Sequence, residues 1–542
     1  MADRVPVLVV GAGVTGLSAS LFLAQHGVPA LVVEKHGGTN IYPRARGVNG
    51  RTMELMRELG LADEIRTAGA RLAPAIGIYR GPTLVDVLRH RGNGGWLARH
   101  MRARGMRGRE STRSPTGPCR CTQDAFEPIL LRAARGRGVD ARFSTALVSF
   151  TEDADGVTAT LHDRNADETR TVRADYVIAA DGARSPVREQ LGIPRSGSRT
   201  YGHQVNVLFR ADLASLVRGR EFSLCLIENS SVRGLIASID NAQTWVIHVS
   251  YDPERGETPD DFTPERCQAL VREAVGIPDL AVAIDGVSPW QSAVRIADRY
   301  RQGRVFLAGD AAHAMPPWGG FGANTAIQDA HNLAWKLAFV LSGTARERLL
   351  DTYELERRPL SCALGAIAGR LSGDRGLITV PRRLTGFRLF WAMRKAFPYM
   401  TMGYGYASPA VVLEPGRQPG PGTSTLDGRP GTRVPHVWLM RGATRVSTLD
   451  RIRGRFVLFA GPDADVWYEA AEVAAKMAGV RIECERLDEH RALGLRRDGA
   501  LLVRPDGIVA WRSASRGSGE SLIDAVTQIL GHGRAPVVAS RV

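Results

Sequence analysis

Residues 5–34 read VPVLVVGAGVTGLSASLFLAQHGVPALVVE. Val5 to Val10 is an apolar run of strand length, and Gly11, Gly13 and Gly16 follow it with GxGxxG spacing. The first glycine permits a sharp turn, the second lets a phosphate approach the backbone, and the third lets a helix pack close to the strand. The N–H groups and positive dipole end at the start of that helix suit a pyrophosphate. A second apolar run, Ala30 to Val33, ends at Glu34, 18 residues past the last glycine, where a carboxylate can hold ribose hydroxyls. Strand, glycines, helix, strand and acid fall in order, which predicts a Rossmann-like dinucleotide-binding unit. Its candidate binding residues are Gly11, Gly13, Thr15, Gly16, Glu34 and Lys35. An acid at this position fits NAD and FAD equally.

A second glycine-rich junction stands nearly 300 residues later, in GRVFLAGDAAHAMPPWGGFGANTAIQDAHNLAWKLAF (residues 303–339). The apolar run Val305–Ala308 ends in Gly309-Asp310, and a loop with Pro316, Pro317, Gly319, Gly320 and Gly322 follows. Ile327, Ala330, Ala334, Leu337 and Leu341 then repeat at helical spacing, with Gly343 in C-cap position. The pattern predicts a helix beginning near Ala323.

Three segments in this order, GxGxxG with Glu34, ADYVIAADGARSPVREQLGI (174–193) and GRVFLAGDAAHAMPP (303–317), resemble the group A flavoprotein monooxygenases, the para-hydroxybenzoate hydroxylase fold. The resemblance covers about residues 5–400 and implies non-covalent FAD, with its ADP half on the first junction and its flavin on the second. It implies that Asp310, after Gly309, meets the ribityl chain, that Pro317, Gly319 and Gly320 pass beside the flavin ring, and that Gly322, Ala323 and Asn324 open the flavin-facing helix. Arg44 in YPRARGVNGRTMEL matches an arginine that meets FAD, with Arg46 and Arg51 as neighbours in alternative register. Gln123 in CTQDAFEPIL matches a glutamine at the flavin, Leu147 lies where backbone meets adenine, and Asp181, Gly182 and Arg184 match a motif that handles FAD and NAD(P)H. The last group is also ordinary turn chemistry.

What the resemblance implies chemically is NAD(P)H- and O2-dependent hydroxylation of an aromatic phenol through a flavin C4a-hydroperoxide. NADPH and NADH are not separated, since no second GxGxxG stands in a strand–helix context. The subset sharing YPRARGVNGRTMEL and PGTRVPHVWL includes enzymes that tailor polycyclic aromatic polyketides. Baeyer–Villiger insertion on a related polyketide is the alternative, and a non-catalytic flavin-binding protein is the remote one. The WxWxIP motif of flavin halogenases is absent, as are GxSxG and HExxH, and the sequence names no general base.

Between the second and third motifs, HQVNVLF, FSLCLI, RGLIASI, TWVIHVS and Val287–Ile296 read as strands of an antiparallel substrate-binding sheet. Trp245, Trp290, His203 and His248 are candidates for its inner face, and Pro317 and Trp318 for the flavin-side border. Residues 412–436 hold five Pro and five Gly in 25 positions and read as a linker or long ordered loop. The βαβββα order beyond it looks thioredoxin-like, with no CxxC and Cys484 alone, so no thiol chemistry is expected. The expected architecture is α/β. A discontinuous Rossmann-like FAD-binding domain (1–195 and 297–411, with about 75–110 open to the substrate domain) carries an antiparallel-sheet substrate domain (196–296) and a thioredoxin-like domain (437–542).

The 542 residues exceed one core, and 44% hydrophobic with 23% charged residues describes a globular chain. No 18-residue apolar stretch exists and MADRV runs straight into the glycine turn, so no membrane span is expected and the cytoplasm is the expected location. The net charge of +15 is spread along the chain except in residues 89–113, where eight Arg accompany one aromatic, Trp96. Single-strand binders interleave several aromatics with basic residues, so this reads as a solvated loop, with no nucleic-acid partner. The six cysteines form no metal-ligand set. The expected partners are a small aromatic substrate, O2 and NAD(P)H, and a homodimer is left open.

Overall fold

The computed structural model describes residues 3–70, 72, 78–90, 113–197, 200–372, 404–415 and 425–532. Most of the arginine-rich stretch, residues 91–112, lies outside the described residues, as do residues 416–424 of the Pro/Gly stretch.

An eight-stranded sheet carries the first architecture. Its main path runs Arg301–Gln302, Val305–Leu307, Glu168–Ala179, Asp3–Val10, Ala30–Val33, Asp140–Arg142, and the hairpin Thr145–Asp153/Gly156–Asp163 joins Glu168–Ala179. The central pairs are parallel, and Val10 stands opposite both Val33 and Ala179, while Leu307 stands opposite Ala179. This register brings the three motif turns, Gly11, Asp181-Gly182 and Gly309-Asp310, to one carboxyl edge. Open α/β sheets bind ligands outside that edge. The strands read as unbroken apolar runs because both faces are covered; Val7, Leu8 and Val9 are fully buried. The helices Val14–Gln25 and Phe321–Leu341 pack side by side on one face.

A six-stranded sheet, in order Ala283–Ala293, Thr200–Arg210, Thr244–Tyr251, Arg233–Ser238, Leu224–Glu228, Ile78–Gly81, forms the second layer. All of its pairs are antiparallel except the last. Residues alternate across it. Val205, Val207, Phe209, Trp245, Ile247 and Val249 face a core closed by the helices Leu84–Arg89 and Pro264–Val275. Leu208 and Val246 face the opposite way, towards Tyr42 of the first layer. Ile78–Gly81 and Leu84–Arg89 thus belong with this sheet although the chain reaches them early.

The chain ends in a four-stranded sheet, order Ile482–Arg486, Phe456–Ala460, Ala500–Val503, Val509–Ser513, with the helices Asp465–Ala478 and Glu520–Ile529. The first pair is parallel and the others are antiparallel, as the expected βαβββα order requires. Cys484 is a free thiol whose pKa burial pushes up to about 11. Phe456 packs edge-on against Trp335 and Phe339 of Phe321–Leu341.

The described part of residues 425–436 is an ordered, largely buried loop: Arg433 and Val434 are inaccessible. The Asp506-Gly507 hairpin turn is buried as well. Arg504 donates to both oxygens of Glu356 (2.6 and 2.9 Å), and Asn332 and Arg51 reach the Asp506 carboxylate and carbonyl at 3.1 and 2.8 Å. A charge at these positions is tolerable only because it is paired.

Candidate functional site

At the first junction Gly11 has φ +103°, and a Cβ there would run into the carbonyl of Ala180. A Cβ on Gly16 would run into the carbonyl of Gly11. Gly13 is different, because its Cβ would meet only Glu127 Oε1, at 3.6 Å. Two glycines therefore serve close backbone packing and the third leaves room for a ligand. Glu34 Oε2 accepts from the Ala12 N–H (2.9 Å), and its other oxygen accepts from the His36 N–H (3.0 Å). The Lys35 side chain is exposed. Thr145 N–H donates to the Glu34 carbonyl at 2.8 Å, which sets the hairpin carrying Leu147 beside the acid.

Glu127 was not legible as a site residue. It is 1% exposed and accepts from the Val14 N–H (3.1 Å), from Gln123 Nε2 (2.7 Å) and from the Asn40 N–H (2.8 Å). A carboxylate at the first turn of a helix complements its dipole, yet burial still raises the Glu127 pKa. Gln123 also donates its N–H to the carbonyl of Arg44 (2.8 Å).

The second junction is fastened from below. Gly309 has φ +61°, and a Cβ there would collide with the hydroxyl of Thr15, so the two junctions touch. The Gly309 N–H donates to Asp329 Oδ2 at 3.1 Å; His313 Nε2 approaches the same oxygen at 2.6 Å, and Arg357 Nε donates to Oδ1 at 2.7 Å. Burial pushes the Asp329 pKa up, but His313 and Arg357 outweigh it and hold the carboxyl below its ordinary value. The signal for Asp329 was present: an acid one residue from Ala330, inside an apolar helical stripe, needs a buried partner. Asp310 is solvent-accessible, yet the protein crowding around it raises its carboxyl pKa against the pull of His313 and Arg44. Accessible but enclosed describes the wall of a deep cleft.

Asp181 accepts from the Val187 N–H at 3.1 Å, and its Oδ1 is buried with no hydrogen-bond partner among the described residues. Gly182 has φ +84°. Beneath it the buried Arg188 donates to the carbonyls of Ala183 and Ala311 (both 3.3 Å), tying the second motif to the third. Arg184 is exposed.

Gly319 and Gly320 both adopt left-handed backbone, and the helix opens at Phe321, two residues before its expected start. Pro317 is exposed and Gly322 and Ala323 are half-buried. The Trp318 side chain lies outside the described residues. Asn324 spends its side chain on the protein: it donates to the carbonyls of Gly320 (2.7 Å) and Gly47 (3.0 Å) and accepts from the Asn49 N–H (2.9 Å). Its side chain joins the flavin-side loop to the Arg44–Asn49 segment.

That segment also crosses to the six-stranded sheet. Arg44 donates to Ser288 Oγ at 2.6 Å and Arg46 to the carbonyls of Ser223 (3.1 Å) and Ser238, while Arg51 turns away to Glu54 and Asp506. The sheet face opposite presents Asn206, His248 and Trp290, joined by hydrogen bonds at Asn206 Oδ1. Trp245 is a correction. It is fully buried on the other face, stacked on Phe222 and donating to the Ala211 carbonyl at 3.1 Å, so it cannot line this space. His203 also belongs to the other face, against Tyr251. Alternation separates 245 from 248 and 203 from 206.

The cleft fits an extended dinucleotide: an open approach at Gly13, an orphaned buried acceptor on Asp181, and an accessible acid on Asp310 stand along one sheet edge. No group of metal-ligating side chains occurs among the described residues, and no helix there is long and apolar enough to cross a membrane.

Comparison with known proteins agrees. The FAD binding domain family matches residues 4–366, and the aromatic-ring hydroxylase C-terminal family matches residues 427–533. Tetracenomycin A2 monooxygenase-dioxygenase of Streptomyces glaucescens is 43% identical, with 94% of each chain covered. A crystal structure of aklavinone-11 hydroxylase with FAD and aklavinone superposes with a TM-score of 0.83 at 36% identity, covering 98% of this chain and 100% of that one. The flavin-dependent monooxygenase PieE, in complex with FAD and substrate, gives 0.83 at 32% identity over the same shares. The chain is thus an FAD-dependent monooxygenase and belongs to the FAD-binding aromatic-ring hydroxylases.

Proposed function

We propose that this enzyme hydroxylates a polycyclic aromatic phenol of polyketide type, with NAD(P)H as electron donor and O2 as oxidant, in the tailoring of a secondary metabolite. The observation that carries the reading is the placement of three motif turns on one sheet edge, facing a second sheet whose inner face offers Asn206, His248 and Trp290. The named relatives include enzymes of tetracenomycin and aklavinone.

FAD would lie on Gly11, Gly13, Thr15, Gly16, Glu34 and Lys35 at its ADP half, with Leu147 beside the adenine. Arg44, Gln123, Asp181, Gly182, Gly309, Asp310, Gly322 and Ala323 would hold the remainder. Reduced by nicotinamide, the flavin supplies the activated oxygen. The protein's own part is to bind and orient the ring, exclude water, and manage the phenol's proton. Trp290 offers a flat apolar surface, and Pro317 would border the flavin side. Arg44 and Arg46 supply positive charge. We place the enzyme in the cytoplasm and read its C-terminal unit as thioredoxin-like in topology and structural in role; a dimer through it is testable by light scattering.

The test is anaerobic reduction by NADPH, followed at the oxidised-flavin band, with and without a polycyclic phenol, then aerobic turnover with product mass and structure. Fast bleaching with the phenol and a product heavier by one oxygen on a ring carbon are expected. Oxygen inserted between a carbonyl and its neighbour would mean Baeyer–Villiger chemistry instead. A protein that cannot take up FAD would overturn the reading.

A further inference from the structure

Trp290, Asn206 and His248 meet at a single oxygen. The Trp290 indole N–H lies 2.5 Å from Asn206 Oδ1. An indole N–H only donates, so the amide atom facing it is the acceptor, and chemistry settles the orientation of Asn206. His248 Nδ1 stands 2.5 Å from the same oxygen. A nitrogen that close to an acceptor must carry the hydrogen, which leaves Nε2 of the neutral ring as a bare lone pair. Nothing among the described residues donates to Nε2, and His248 is partly accessible.

The ring is neutral near pH 7. Burial lowers its pKa to about 4, and Arg46 and Arg44 act in the same direction. The groups around it are Asn206 from Thr200–Arg210, Trp290 from Ala283–Ala293, and Arg44 and Arg46 from the segment before Gly50–Glu58; among the described residues no carboxylate acts on it. Arg46 is itself held by backbone carbonyls, its Nε is buried without an acceptor among the described residues, and burial, with Arg120 near it, lowers its pKa to about 10. A bare acceptor beside under-compensated cations recognises an O–H group that can ionise, and stabilises the anion it leaves.

We propose that His248 accepts the proton of the substrate's phenolic hydroxyl, with Asn206 and Trp290 fixing its tautomer and Arg46 holding the phenolate. The phenol O–H bond breaks and an N–H bond forms at Nε2. The electron pair stays on oxygen, the imidazole becomes imidazolium, and nothing is oxidised in the step. Burial and then the arginines weaken the empty imidazole as a base; the phenolate's charge offsets the arginines' part, so base and phenol titrate as a pair. The proton leaves to water after turnover.

The proposal rests on the hydroxylase reading, and two measurements separate the failures. In the FAD-loaded protein without substrate, nitrogen-15 NMR of labelled histidine, with the His248 signal identified by its loss in His248→Gln, is expected to show a neutral Nδ1–H ring from about pH 5.5 to 8. An Nε2–H tautomer, or a ring already protonated at pH 7, would overturn the proposal. Alizarin, whose phenolate is visibly red-shifted, is then titrated on the FAD-loaded enzyme. His248→Gln and Asn206→Leu are expected to raise the midpoint of the bound dye by at least about one pH unit and to lower kcat/KM at pH 7 about 100-fold. Equal phenolate fractions in wild type and His248→Gln would overturn the assignment. A wild-type protein that refuses every polycyclic phenol would instead sink the substrate reading.

Discussion

The Gly309 amide donates to the Asp329 carboxylate at 3.1 Å, across 20 residues and from a loop to the middle of a buried helix. Through Asp329 the second glycine junction is locked to His313 and Arg357, and through Thr15 it is seated on the first junction. The cleft is therefore held by a charged cluster beneath it as well as by its glycines.

Removing that anchor should cost more than one hydrogen bond. Asp329→Ala leaves the buried Arg357 without its carboxylate, and breaking such a pair typically costs about 3–5 kcal/mol. We expect that loss in urea denaturation, together with release of FAD on gel filtration. The Asp329 carboxyl is depressed in the folded state, so its contribution is present above the unfolded carboxylate value of about 4 and is lost as pH falls below it. The wild-type margin over Asp329→Ala should shrink in acid.

The glycines should separate into two classes. Gly11→Ala and Gly16→Ala each drive a Cβ into backbone, and FAD affinity should fall at least about 100-fold, or ~3 kcal/mol. Gly182→Ala meets nothing within 4 Å and should cost only its left-handed backbone, about 1–2 kcal/mol. Equilibrium FAD titration of the apoprotein distinguishes them.

The two tryptophans make an opposed pair. Trp245→Ala empties a fully buried site and should destabilise by about 3–5 kcal/mol, leaving KM for the phenol unchanged where the protein is folded. Trp290→Phe keeps the ring and removes the N–H to Asn206; it should leave stability within about 1 kcal/mol and alter phenol binding. Denaturation and steady-state kinetics on both variants check the assignment of faces.

At the seam with the C-terminal unit, Arg504→Met leaves the buried Asp506 without its arginine and Glu356 with Lys336 as its one cation among the described residues, and should cost about 3–5 kcal/mol. Both carboxyls sit below their ordinary values because of Arg504. The stabilisation therefore holds above about pH 4–5 and fades below it. Thermal denaturation as a function of pH reads this directly.

Much of this protein was set by local chemistry. Glycines at 11, 13 and 16, the acid at 34, the Gly309-Asp310 turn and the strand-length apolar runs each declare a local conformation, because positive φ, close backbone approach and two-sided burial leave few residue choices. The element order and the three motif turns were legible on those grounds, as was the βαβββα order of the C-terminal unit. Tertiary structure decided which side chains those turns stand on. Glu127, Arg188, Asp329 and Arg357 are remote in sequence from the groups they hold, and charge pairing in a core depends on distance in space. It also decided that Trp245 and His203 turn away from the chamber and that Asn206, Trp290 and His248 share one oxygen, because strand register, set by pairing with strands remote in sequence, assigns each alternate residue to a face.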